Sequence, residues 1–295
     1  MPRARTLAAL ALLACAPPTS PRSGGGAAAL RLVTWNVHDL FDEVDRLSPP
    51  GDQDTVPSPA AVEAKLARVG AVLRRLDADA VMLQEVENLP LLERLAQGPL
   101  AGLGYRAYLI EGRDPRGIDV GLLSRLPVEA LRSHLDDRAA DGGFLWARDL
   151  LEAHLGGAAR PLVLLGAHLA SRLDPAADAR RAQQAARARE IMAAVQAETP
   201  GALVVLLGDL NDLPGSAPLA ALLGDRALAD LGAALPQGGA WTWWGGGAEE
   251  RIDYALLARE DLTSVSGVAV GSGADVAEAS DHRPVVVDLW LDLTR

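Results

Sequence analysis

From Leu30 onward the chain alternates short apolar runs with amphipathic stretches, and this alternation limits its folds more than any single residue does. Residues 30–35, 80–83, 120–123, 161–166, 203–207, 252–257 and 285–291 have the length and aliphatic character of strands. Several are apolar at consecutive positions, which predicts sheets covered on both faces. Residues 59–76 and 175–197 read as helices. The second has Asp174 as N-cap and Pro175 at the first helical position, and stops before Thr199-Pro200-Gly201. Residues 152–165, interrupted at Gly156-Gly157, read as a hairpin. The Pro- and acid-rich residues 45–59 read as a surface loop. No second break interrupts the chain, so residues 30–295 are expected to form one domain of mixed α/β layers.

Composition narrows the function classes. With 49% hydrophobic and 23% charged residues, the chain is a folded protein rather than a disordered, collagen-like or disulfide-stapled one. A net charge of −11 repels polyanions over the surface as a whole, so an extended, non-specific grip on nucleic acid is not expected. The single Cys, Cys15, excludes a disulfide framework and a thiolate metal site.

Residues 1–14 place Arg3 and Arg5 ahead of an apolar run ending at Cys15. This is the layout of a secretory signal, too short for a stable membrane anchor. Leu12-Leu13-Ala14-Cys15 resembles a bacterial lipoprotein signal, in which cleavage precedes the Cys and its thiol takes a lipid. Plain secretion is the alternative. Residues 15–29, rich in Pro, Gly and Ser, read as a flexible tether. The expectation is an exported monomer, in the cell envelope or beyond it, attached to membrane through a lipidated Cys15.

The chemistry gathers at strand ends. Asn36, Gln84-Glu85, His168, and Asp209 with Asn211 each follow an apolar run, Asp253 sits early in one, and Asp281-His282 directly precede the last. Ligand sites of layered α/β proteins collect at such ends, where distant positions converge. Four carboxylates, two Asn and two His, with no Cys, favour a hard divalent cation such as Mg²⁺, leaving His and Asp for acid–base work on a phosphate ester.

Thr34-Trp35-Asn36, Gln84-Glu85, Gly208-Asp209-Leu210-Asn211, Arg251-Ile252-Asp253-Tyr254 and Ser280-Asp281-His282-Arg283-Pro284-Val285 follow one another as in the endonuclease/exonuclease/phosphatase (DNase I-like) family, which the chain resembles from residue 31 to about 292. The resemblance implies a four-layer sandwich of two mixed β-sheets flanked by helices. It also implies a metal-dependent phosphoric ester hydrolase using Mg²⁺ or Mn²⁺. In that reading Glu85 binds the metal, with Asn36 and Asp281 beside it. Asp209 orients or deprotonates the attacking water and Asn211 holds a phosphate oxygen. His282, paired with Asp253, presents a proton, and His168 donates to the phosphate or leaving group. The chain departs from DNA-repair relatives at His38-Asp39, where those carry an Asp near the metal, so neither residue is assigned.

Trp241, Trp243 and Trp244 read either as a core plug or as an aromatic wall beside the site, made mobile by Gly245-Gly246-Gly247; Trp243, Trp244 and Arg251 are the substrate-binding candidates. Arg180, Arg181, Arg187 and Arg189 read as a solvated helix face. Asp119 is a supporting residue at most, and His134 and His154 fall outside every motif. Because the family spans nucleases, lipases and phosphatases, the expected substrate is a phosphodiester, with nucleic acid first and a phospholipid or small phosphoester second. An inactive binding module on the same fold is the rival.

Overall fold

A computed structural model of the chain describes residues 29–44, 56–172, 174, 177–225 and 227–291. The signal, the lipoprotein-like motif at Cys15, nearly all of the tether, most of the 45–59 loop and the Pro175 start of the second helix lie outside the described residues. Two six-stranded sheets face each other. The first runs in the order β13 (Val265–Val270), β14 (Val285–Trp290), β1 (Ala29–Leu40), β2 (Ala80–Val86), β4 (Asp119–Ser124), β3 (Arg106–Leu109). The second runs β5 (Val128–Arg132), β6 (Leu151–Leu155), β7 (Leu162–His168), β8 (Leu203–Asp209), β12 (Asp253–Ala258), β9 (Leu228–Asp230). Each sheet holds one parallel pair, β1 with β2 and β7 with β8, among antiparallel neighbours.

Because strand side chains alternate, each sheet builds two cores. Leu32, Met82, Leu122 and Val287 of the first sheet meet Leu164, Val205, Leu207 and Leu257 of the second between the layers. Trp35, Val81, Leu83 and Leu123 face outward onto α1 (Pro59–Leu76), α2 (Leu89–Gln97) and α5 (Ala274–Ala279). Val163, Leu165, Val204 and Leu256 face outward onto α3 (Asp178–Glu198) and α4 (Ala217–Leu223). Two mixed sheets with helices outside are therefore what the apolar runs implied: strands apolar on both faces have protein on both faces.

Three expectations change. α3 starts at Asp178 with Ala177 at its N-cap and no side-chain cap, so Asp174 does not cap it. Of the four arginines of that helix expected to be solvated, only Arg189 is exposed. Arg181 is buried between Asp212 and Asp178, Arg187 holds Asp137 and Glu190, and Arg180 holds Asp141 and the carbonyl of Phe144. Their charges are consumed in fastening α3 to neighbouring loops. The tryptophan stretch is a hairpin rather than a free loop: β10 (Trp243–Gly245) pairs with β11 (Ala248–Glu250), and Gly246 and Gly247 supply the positive φ of its turn.

One glycine is required sterically. A Cβ on Gly208 would lie 1.9 Å from the Ala167 carbonyl oxygen, on a backbone with φ of +156°. Gly208→Ala is expected to cost about 3 kcal/mol or more, lowering the thermal midpoint by roughly 6–12 °C. Calorimetry that finds an unchanged midpoint would show that β7 and β8 yield there without cost.

Candidate active site

The inter-sheet faces that carry Leu and Val for most of their length end in polar side chains. On the second sheet His168, Asp209 and Asp253 stand side by side in register across β7, β8 and β12. On the first, Asn36 and Gln84 are cross-strand neighbours on β1 and β2. All five are buried. Alternation alone would send Glu85 to the opposite face. It comes back because it is the extra residue of a bulge, between the Gln84–Val120 and Val86–Asp119 pairs, with φ of +63°. A second irregularity after Asn36 puts His38 (φ +51°) and Asp39 (φ +54°) at the same end. Non-glycine residues in this region are strained, and their clustering here marks a site the fold maintains at a cost.

The side chains form one connected group. Asn36 Nδ2 donates to Glu85 Oε1 and to Asp209 Oδ2, each at 3.1 Å. His168 Nε2 lies 3.6 Å from Asp209 Oδ2 and 4.0 Å from Glu85 Oε1. His282 Nε2 lies 3.9 Å from the same Asp209 oxygen, while its Nδ1 is 2.8 Å from Asp253 Oδ2. The Asn211 backbone N–H donates to Asp209 Oδ1 at 2.8 Å, and its Nδ2 donates to the Leu169 carbonyl. Trp35 Nε1 donates to the His282 carbonyl and Ser280 Oγ donates to the Asn36 carbonyl, which clamps the Ser280–His282 turn onto β1.

Protonation follows from these neighbours. Burial and the Asp253 carboxylate push Asp209 up to about 7, against the pull of His282, the Asn211 N–H and Asn36. Burial alone would strip the proton from His282, but Asp253, Asp209 and Asp281 outweigh it and raise it to about 10. His168 goes the other way: burial and the guanidinium of Arg148 hold it well below the usual imidazole range. Two imidazoles flanking one carboxylate thus carry different charge near neutral pH, which separates a proton donor from a neutral hydrogen-bonding group.

Beside this group lies an acidic one. His38, Asp39 and Glu85 offer ligand atoms within 4.8 Å of one another, and His38 Nδ1 is 3.3 Å from Asp281 Oδ1. Burial works against the charge on Glu85. The Asn36 amide, Arg116 and the Asp39 N–H favour it, as would a proton on His168, so the carboxyl is held below its ordinary value. The δ1 oxygens of Asp39 and Asp281 are buried and accept no hydrogen bond. Asp39 Oδ1 is 3.5 Å from Arg116 and Asp281 Oδ1 faces His38, so charge neighbours them without a hydrogen bond; carboxylate oxygens left so beside an ionised Glu fit a hard divalent cation. Of the three metal candidates from the sequence, Glu85 and Asp281 face this cluster. Asn36 turns its N–H groups toward the acids, because two carboxylates compete for that donor.

The remaining assignments divide. Trp243 Nε1 donates to Asp281 Oδ2, its ring tilts against His282 at 6.3 Å, and the Arg172 guanidinium lies over the ring, 5.8 Å from its centroid. Trp244 is half exposed at 52%. Arg251 must be corrected. Both of its terminal nitrogens are bound to Asp230, at 2.9 and 2.6 Å, and its guanidinium lies over Tyr254, so it is an internal brace with no free fork for substrate. Gln84 exchanges hydrogen bonds with Thr34 and closes the floor. His134 and His154 bracket Glu152 on the second sheet, away from the motifs.

Sequence reasoning missed two basic residues. Buried Arg148 donates to the carbonyls of His168 and Leu169 and pairs with Asp114, fixing the end of β7. Its segment has no period to betray it. Lys65 donates to the carbonyls of His38 and Ala279 behind the acidic cluster, and its being the sole Lys of the chain was the one available signal.

A four-layer sandwich whose inter-sheet space opens into carboxylates and imidazoles defines the DNase I-like class of folds. The sequence pattern of the Endonuclease/Exonuclease/phosphatase family matches residues 33–282, and the chain belongs to that family, whose members are generally hydrolases of phosphoester bonds. Truncated TDP2 from Caenorhabditis elegans is similar in structure, with a TM-score of 0.64 and 18% identity over 89% of this chain and 97% of that one. The human nocturnin catalytic domain with bound sulfate superposes with a TM-score of 0.63 and 14% identity, over 89% and 94% of the two chains. An endonuclease/exonuclease/phosphatase protein from Beutenbergia cavernae gives 0.63 and 24% identity, over 90% and 72%. No curated protein matches the chain in sequence.

Proposed function

We propose that the protein is an exported, divalent-metal-dependent phosphodiesterase. One observation carries this reading: Asp209 is held between Asn36, His168 and His282, beside the cluster of His38, Asp39 and Glu85, to which Asp281 is joined 3.3 Å from His38. Glu85, Asp39 and Asp281 would hold Mg²⁺ or Mn²⁺, which when bound neutralises charge on the phosphate oxygens. Asp209 orients and deprotonates the attacking water. His282, protonated through Asp253, donates to the phosphate as charge builds on it, and neutral His168 donates a further hydrogen bond. Asn211, anchored to Leu169, keeps its amide oxygen and one N–H for a phosphate or water.

Zebrafish TDP2 has been captured with a single-strand DNA product, which makes nucleic acid the first diester to consider. The acidic surface opposes a long polyanion contact, and an apolar cleft beside Asp281 favours a phospholipid or small diester as a second reading. The purified protein should cleave bis-p-nitrophenyl phosphate faster than p-nitrophenyl phosphate by about tenfold or more, and EDTA should abolish turnover until Mg²⁺ or Mn²⁺ is restored. Plasmid DNA and sphingomyelin in the same series separate nuclease from lipase. Monoester preference, or full activity in EDTA, overturns the reading.

Export and attachment rest on the N-terminal residues. Arg3, Arg5, the following apolar run and Cys15 support cleavage before Cys15 and lipidation of its thiol. Cys15→Ala should move the protein from the detergent phase to the aqueous phase in detergent partitioning. Equal partitioning of both forms would remove the lipid from the account.

A further inference from the structure

A cavity lies beside the candidate site rather than in it. It has a volume of about 500 Å³, within the range of small-molecule pockets, and is walled by Trp241, Trp244, Gly273, Val276 and Ala277 with Asp281 at its edge. Three of its polar side chains, Ser280, Asp281 and Arg283, already make hydrogen bonds. Ser280 Oγ donates to the Asn36 carbonyl and accepts the His282 N–H. The Arg283 guanidinium donates to the carbonyls of Gly271 and Trp241 and lies 4.2 Å over the Trp241 ring. Asp281 Oδ2 accepts from Trp243. Ser272 is the remaining hydroxyl of the wall.

Given the phosphodiester reading above, on which this rests, we infer that the cleft binds an apolar substituent of the substrate, an alkyl or acyl chain esterified to or near the phosphate. Asp281 belongs to both surfaces, so a diester whose phosphorus faces Asp209 has one arm directed along α5 and the Trp241 and Trp244 side chains. A nucleobase needs several partners matched to its edge, and this wall offers only the Ser272 hydroxyl and two indole N–H groups beside its apolar surface. A hydrocarbon needs none and gains from leaving water.

Chain length is the direct test, read in two ways. Binding of methyl, butyl and octyl methylphosphonate to the intact protein is followed by calorimetry, and kcat/KM is measured for p-nitrophenyl methyl, butyl and octyl phosphate. Each added methylene should improve both by about three- to fourfold until the cleft is filled. Ala277→Trp, placed on the exposed side of α5, should collapse the octyl-to-methyl ratio toward one in both measurements. Phosphonate affinity independent of chain length overturns the inference even when the esters are hydrolysed. Length-dependent binding without turnover of any ester keeps the cleft and removes the phosphodiesterase reading. Retention of the full ratio in Ala277→Trp, or preference for a thymidine ester over the octyl ester, places the substituent elsewhere or makes it a base, and either result overturns the assignment.

Discussion

Asp209→Asn lowers kcat on a phosphodiester by about 10³- to 10⁴-fold, the range that a positioned proton acceptor contributes. The substitution keeps the size and shape of a side chain fixed on both oxygens by the Asn211 N–H and Asn36 Nδ2. What it removes is the capacity to take a proton and one of the two accepting oxygens, which leaves either the Asn211 N–H or Asn36 Nδ2 facing a donor. Stability separates this from structural damage. Burial and Asp253 raise the folded carboxyl from 3.8 to about 7, so its contribution to metal-free stability is full below the unfolded value and is lost as pH rises through 7. An amide has no such loss. Above neutral pH this gain offsets the lost acceptor, which costs about 1–3 kcal/mol, so the metal-free variant should melt within several degrees of the parent while being nearly inactive. Turnover within a few-fold of the parent would end the assignment of Asp209 as the acceptor.

Asp253→Asn should act through its neighbour. His282 is nearly enclosed, and burial by itself drives an imidazole toward neutrality. The Asp253 carboxylate at 2.8 Å, followed by Asp209 and Asp281, reverses that and raises it to about 10. With Asn at 253 the largest opposing charge is gone and burial prevails, so His282 loses its proton below neutral pH rather than near 10. If protonated His282 is the donor, the alkaline limb of the kcat/KM profile moves down by several pH units. Activity above neutral pH then falls by about 10²- to 10⁴-fold, with partial recovery on acidification. An alkaline limb unmoved by the substitution, or a His282 resonance that still titrates near 10, would show that the Asp253 pair does not set the charge.

Each residue of the site was legible to a different degree. His168, Asp209 and Asp253 continue the period-two apolar faces of their strands, and Asn36 does so on β1. The sequence showed them at strand ends, but runs apolar at consecutive positions hide which face each takes, and the register supplied that. The helix at 59–76 was equally plain, since Ser58 caps it and Pro59 opens it. α2, α4, α5 and the edge strands β3, β5 and β9 were not recognised, because elements this short carry too few apolar positions to display a period, and β13, as long as β14, was missed because Ser266 and Gly267 interrupt its apolar run. Arg251 was misjudged for another reason. Its motif neighbours are functional candidates, but only the arrival of Asp230 from β9 shows that its charge is already used.

The sequence by itself determined the layered α/β fold, the strand ends where polar chemistry collects and the absence of thiolate ligands. These depend on local periodicity and on residue types, which are properties of the chain alone. Only the tertiary structure decided that a bulge returns Glu85 to the inter-sheet side, that His38 and Asp39 join it, and that Arg148 leaves one histidine neutral while Asp253 keeps another protonated. Backbone register and the desolvation of one charge by residues far along the chain arise only when the sheets have closed on each other, so no window of sequence contains them.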